Sequence, residues 1–220
     1  MDKTLILQKT EQYVKETLSG ESSGHDWWHI HRVRTIALTL GREENTDLFI
    51  VEMAALLHDI GDPKLHGGDT TIAPRLIGSW LDSVSVQEED KEKIMHIIAH
   101  MSFSKHLQGK EVDKSKEFMI VQDADRLDAI GAVGIARCFS YGGHKGRIMY
   151  DPHVKAEDNI TAEQYTNGRK GNHTINHFYE KLLLLKKLMN TETAKRMAEE
   201  RHLFMERYLE QFYEEWDGKK

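Results

Sequence analysis

Three short stretches hold side chains whose types and spacing could do chemistry. In GHDWWHIHRVRTIA, His25 and His29 stand four apart, so they share one face if a helix begins early enough, and Val33 and Ala37 continue that face. In AALLHDIGDPK the apolar run Ala54-Ala55-Leu56-Leu57 leads straight into His58-Asp59. In MIVQDADRLDAIGAVGIAR, Asp125 falls on the stripe of Phe118, Val121 and Ala129, and Asp128 follows three residues later. Imidazoles and carboxylates on stripes built for burial need a hydrogen bond, an opposite charge or a metal ion to compensate their desolvation. Both groups are good ligands for Mn, Fe, Ni or Zn. Such an ion acidifies bound water and polarises a carbonyl or phosphoryl oxygen, which is the chemistry of hydrolysis.

Each piece also has a plain structural reading. His29 alone would be a core histidine bonded to a carbonyl. A His-Asp dipeptide occurs by chance in many chains. Asp125 alone could pair with Arg32 or Arg126. Asp123 reads as exposed. Adjacent helical residues diverge by roughly 100°, so His58 and Asp59 can touch one ion only where a helix end meets a pocket. The three stretches can converge only through tertiary packing, so the elements that carry them decide the matter.

Apolar periodicity predicts helices over 2–19, 26–42, 47–60, 70–82, 87–101, 114–130 and 131–141. Gly61-Asp62-Pro63 ends the third, and Asp69 is the expected N-cap of the fourth. The stretch 142–171 is rich in Gly, polar and basic residues and reads as a lid or binding loop. Residues 172–217 return to helix, broken near Met189-Asn190-Thr191, with Asn190 or Thr191 as cap. No strand pattern or repeat is seen. Trp27-Trp28 reads as packing, with one ring in the core and one at a helix interface. His173 and His177 read as structural.

The 220-residue chain is 39% hydrophobic and 30% charged, enough for a real core. Three prolines favour long helices over a loop-rich β fold. The formal charge of -6 argues against binding a nucleic acid polymer, and no run is long enough to span a membrane. The N-terminal stretch lacks the apolar core of a signal peptide, and the single Cys138 excludes an intramolecular disulfide. Both fit a cytoplasmic protein. Thirteen histidines raise the prospect of metal or proton-transfer chemistry.

The pattern H…HD…D, carried by HDWWHIHRV, LLHDIGDPK and QDADRLDAIG, resembles the HD superfamily of metal-dependent phosphohydrolases. It most resembles the small all-helical bacterial YpgQ-like branch, as does the C-terminal INHFYEKLLLLKKLMNTETAKRMAEERHLFMERYLEQFYEEW. The resemblance implies an all-α fold: a single HD domain over 1–220 with a metal-binding core at about 25–132 and a C-terminal helical extension at about 172–217. It implies His29, His58, Asp59 and Asp125 as metal ligands, with His25 the alternative first ligand. It implies one divalent transition metal ion, Mn, Fe, Ni, Co or Zn, with Mg a further candidate. Asp62 falls where related enzymes often carry an acidic catalytic residue, and it also suits a turn before Pro63.

A leaving phosphate needs positive charge around it. Lys64, Arg32 and Arg126 are candidates, and Lys145 and Arg147 could form a mobile clamp. Each of these cations also reads as an ordinary solvated residue; Lys64, beside Asp62, is the best placed for catalysis. The expected substrate is a small phosphorylated molecule, a nucleotide above all. The expected reaction is pyrophosphohydrolysis of a (deoxy)nucleoside triphosphate to monophosphate and pyrophosphate. A nucleotide phosphomonoesterase or a cyclic-nucleotide phosphodiesterase would need the same four ligands. A dinuclear-iron oxygenase would recruit extra histidines, for which His66, His96, His100 and His106 are available. A non-catalytic nucleotide-binding regulator is the other rival. The stripe Leu203, Phe204, Tyr208 and Phe212 could pack internally or form a homodimer contact.

Overall fold

The structure, a computed structural model, describes residues 2–20, 24–63, 66–109, 112, 114–158, 161, 163 and 172–220. The chain divides into two compact units, Met1–Ala124 and Asp125–Lys220. The fold is all-α: no strand occurs among the described residues.

The first unit is organised by its most apolar helix. α1 spans Lys3–Thr17, α2 Trp27–Glu44 and α3 Leu48–Leu57. α3 buries Phe49, Ile50, Val51, Met53, Ala54, Ala55, Leu56 and Leu57, so it is apolar nearly all round, as a central helix must be. It packs against α1, α2 and α5 (Glu88–His100), and α4 (Ile72–Ser83) packs on α5. Each fully buried large apolar side chain contributes about 1.5–3 kcal/mol. Asp47 caps α3 through the amides of Phe49 and Ile50. Arg34 on α2 donates to Glu52 on α3 and to Glu11 on α1, tying three helices at the edge of the core. A short helix, α6 (Phe103–Leu107), absent from the sequence reading, is capped by Ser102 through the amide of Lys105. Asp69 does not stand at the N-cap of α4. It accepts bonds from the amide and hydroxyl of Thr71, which takes that place.

α7 (Lys116–Asp128) begins in the first unit and ends in the second. The second unit continues with α8 (Gly131–His144), α9 (Asn176–Glu180), a 3₁₀ helix (Leu182–Leu188) and α10 (Glu192–Trp216). The expected helix before residue 189 is thus split. Leu182 and Leu185, three apart, are both buried while Leu184 is exposed, which is the three-residue period of a 3₁₀ helix. Thr191 caps α10 by accepting from the Ala194 amide at 3.2 Å. On the last helix Leu203 and Phe204 are exposed, while Tyr208 and Phe212 join aromatic contacts with Phe139, Phe178 and Tyr150.

Of the expected lid, residues 159–160, 162 and 164–171 lie outside the described residues. The preceding stretch is held to the chain that follows. The amides of Thr174 and Ile175 donate to the carbonyls of Ile148 and Met149, and buried His173 donates from Nε2 to the Val154 carbonyl at 2.8 Å.

Candidate metal centre

Two helix ends in the first unit bring the site together. The Asp26 carboxylate accepts from the His29 amide at 2.9 Å and so starts α2. His29 therefore stands in the first turn, and it is 1% exposed. α3 stops at Leu57, and His58 is its C-cap residue. His58 and Asp59 thus leave the core where the chain turns away. Gly61 makes that turn with φ +72. A Cβ there would lie 2.8 Å from Ala73 Cα and 2.9 Å from its amide nitrogen, so only glycine lets the turn approach the start of α4.

Asp59, 5% exposed, is the focus of the cluster. Its Oδ2 lies 2.8 Å from His25 Nδ1 and 3.3 Å from His29 Nε2. Its Oδ1 lies 3.5 Å from His58 Nε2. The Nε2 atoms of His29 and His58 face each other at 3.2 Å. His58 Nδ1 donates to the Ala55 carbonyl at 2.8 Å, so in the neutral ring Nε2 carries a lone pair directed at the cluster. Burial alone would push the Asp59 carboxyl up. The charge available on His58 and His25, with hydrogen bonds from His25 and His29, outweighs burial and holds it well below the usual carboxylate range. Asp59 is therefore an anion surrounded by ring nitrogens. A cleft of about 310 Å³ opens onto it, bordered by Leu18, Ser19, Gly20, Gly61 and His66. Ligand atoms of His25, His29 and Asp59 all lie within 4.8 Å of one another.

The remaining expected residues are placed as follows. Asp125 lies in the last turn of α7, half-buried, and opens the second unit on the same unbroken helix. Asp62 is half-buried in the turn after Asp59, its amide donating to the Asp59 carbonyl at 3.2 Å. Lys64 lies outside the described residues. Arg32 is half-buried on α2. Arg126 is 4% exposed and donates from Nη1 to the Leu188 carbonyl, which gives this cation a structural anchor in the second unit. The Lys145 ammonium sits 5.5 Å from the Tyr141 ring, and the Arg147 guanidinium 5.9 Å from the same ring. Asp128 is buried and paired with Arg137 at 2.9 Å.

The histidines offered for a second metal behave differently. His100 donates from Nδ1 to the His96 carbonyl at 2.9 Å, and the two rings lie 4.7 Å apart. His66 and His106 are exposed. Among the described residues none of the four joins a group of three or more converging ligand atoms.

Two sequence readings are corrected. Asp123 is not exposed but fully buried. It sits three residues after Ile120 and four before Leu127, both buried, and that spacing was the available signal. Neither ring of the tryptophan pair is in the core. Trp28 is 62% exposed, and Trp27 is half-buried with the Lys15 ammonium 4.6 Å from its ring. His25 and His29, the two candidates for the first ligand, both reach Asp59.

The HD domain family model matches residues 27–130. YpgQ of Bacillus subtilis (strain 168) is 41% identical over 216 residues, covering 96% of each chain. Among solved structures, one of a Lactobacillus plantarum protein superposes with a TM-score of 0.88 at 39% identity, over 99% of this chain and 100% of that one. An HD-superfamily hydrolase from Bacillus thuringiensis gives 0.74 at 44% identity, over 98% and 99%. Bacillus subtilis YpgQ, crystallised in complex with ADP, gives 0.71 at 38% identity, over 98% and 97%. The chain belongs to the HD superfamily of metal-dependent phosphohydrolases. Within that superfamily its place is the small bacterial YpgQ-like branch.

Proposed function

We propose that this protein is a metal-dependent nucleotide pyrophosphohydrolase, converting a (deoxy)nucleoside triphosphate to the monophosphate and pyrophosphate. The observation that carries the reading is the convergence of imidazole nitrogens from His29 and His58 on the buried Asp59 carboxylate. The donor set fits a divalent first-row ion. It offers two imidazoles and a carboxylate, and the second nitrogen of His58 is fixed by a backbone carbonyl, as ligating imidazoles usually are. His29, His58, Asp59 and Asp125 would hold the ion, the last as the family resemblance implies. A divalent ion there supplies acidified water and polarisation of a phosphoryl oxygen.

The protein's own groups do the rest. Asp62 orients the attacking water and takes up its proton. Lys64 and Arg32 offset the negative charge that builds on the leaving phosphate, and Lys145 and Arg147 bind the distal phosphates. The nucleotide assignment is supported by the complex of YpgQ with ADP. Soluble nucleotides are the expected partners; no described helix is long and apolar enough to cross a membrane.

The test is a screen of nucleoside triphosphates, monophosphates and cyclic nucleotides with Mn, Mg, Co, Ni and Fe, with products identified by mass. Monophosphate plus pyrophosphate is expected. Diphosphate plus phosphate moves the scissile bond. Release of phosphate from monophosphates alone, or opening of cyclic nucleotides alone, replaces the reading with one of its rivals. Asp62→Asn should slow turnover while metal stays bound.

A further inference from the structure

His25 precedes α2, outside the helix that carries His29, yet it makes the shortest contact to Asp59 in the cluster. Its Nδ1 lies 2.8 Å from Asp59 Oδ2, within the range of charge-assisted N–H···O⁻ bonds. A carboxylate only accepts, so the proton of this bond sits on His25 Nδ1. That distinguishes His25 from His58. His58 spends its Nδ1 proton on the Ala55 carbonyl and turns a lone pair inward from Nε2. His25 turns a proton inward. The side chains of the pair are 15% and 7% exposed, so the bond is largely shielded from water. It occupies one side of Oδ2, the oxygen that also faces His29 Nε2 at 3.3 Å. Oδ1 is left toward His58.

We propose that His25 is a positioning residue for the metal centre: its Nδ1–H···Oδ2 bond fixes the rotation of the Asp59 carboxylate, and with it the metal affinity of the site, without His25 ligating the ion. The inference rests on the reading that His29, His58 and Asp59 hold a divalent ion. Partners that orient a ligand typically cost 10–100-fold in metal affinity when removed, whereas loss of a ligand costs far more. An amide can replace the donated hydrogen bond but cannot replace an imidazole as a first-row ligand.

The experiment is titration of Mn(II) into the metal-free full-length chain by calorimetry, with circular dichroism to verify helix content. The variants are His25→Ala, His25→Asn, His25→Gln and His58→Ala. His25→Ala should weaken binding about 10–100-fold, and His25→Asn or His25→Gln should recover most of that loss. His58→Ala should bind too weakly to fit. Affinity of His25→Ala equal to the parent overturns the inference. Equal loss in the alanine and both amide variants, at the level of His58→Ala, overturns it as well, because His25 is then a ligand. If His58→Ala binds like the parent, the failure lies with the metal centre itself. Should His25→Ala fold poorly, the contrast between the parent and the two amide variants decides, since a ligand role predicts loss in both.

Discussion

Gly61→Ala should destabilise the protein through a contact at the edge of the metal centre. Gly61 has φ +72, where an L-residue with a Cβ loses roughly 1–2 kcal/mol. The added methyl group would also lie 2.8 Å from Ala73 Cα and 2.9 Å from its nitrogen. Those are backbone atoms at the start of α4, so relief requires a shift of the helix, at about 1–3 kcal/mol for an overpacked site. The stiffer unfolded chain returns about 0.4–1 kcal/mol. The net expected loss is about 2–4 kcal/mol. Gly67 supplies the control: its φ is +62, but a Cβ there meets nothing within 4 Å. Gly67→Ala should therefore cost about 1 kcal/mol or less, from backbone conformation alone. The assay is urea unfolding of both variants, fitted with a common slope. Equal midpoints for the two variants would refute the claim that Gly61 is required by its approach to α4. Because Gly61 follows His58-Asp59 by two residues, Gly61→Ala should also weaken Mn(II) binding, and Gly67→Ala should not.

Two further outcomes test other parts of the structure. Arg34→Ala removes charged hydrogen bonds to Glu52 and Glu11 at a partly exposed site, and should cost on the order of 2 kcal/mol, or about 4–8 °C in Tm; an unchanged Tm would show that the network adds nothing. Burial pushes the Cys138 thiol up to about 12 against the lesser pull of Lys181 and Arg147. Its folded pKa lies above the unfolded value, so its contribution to stability is complete below about pH 9 and is lost as pH rises toward about 12. At pH 8 the folded chain should react with iodoacetamide on the order of a thousandfold more slowly than the denatured chain. Reaction at the denatured rate would contradict this.

The His58-Asp59 end of the site was legible because an apolar helix that runs into two titratable groups has few structural outlets. The helix carrying His29 was legible for the same reason: Val33 and Ala37 continue its buried face. His25 was harder to read. Its role depends on which ring nitrogen meets Asp59, and spacing along the chain carries no information on that. Asp123 was misplaced because one stripe was assumed for α7, whereas Phe118, Ile120, Val121, Ala124 and Leu127 bury it nearly all round. The Leu182–Leu185 run satisfies any helical period, so its 3₁₀ form could not be told from an α-helix. Long basic side chains were least legible. Arg126 spends a donor on the Leu188 carbonyl, a partner far away in sequence.

The central claim is that one divalent ion is held where His29 and His58 meet Asp59. It is tested most directly by Mn(II) titration of the metal-free chain beside His58→Ala and Asp59→Ala, with bound metal counted after gel filtration. One ion per chain in the parent, and loss of binding in both variants with helix content intact, is the predicted result. Undiminished metal in either variant, or two ions per parent chain, would contradict it.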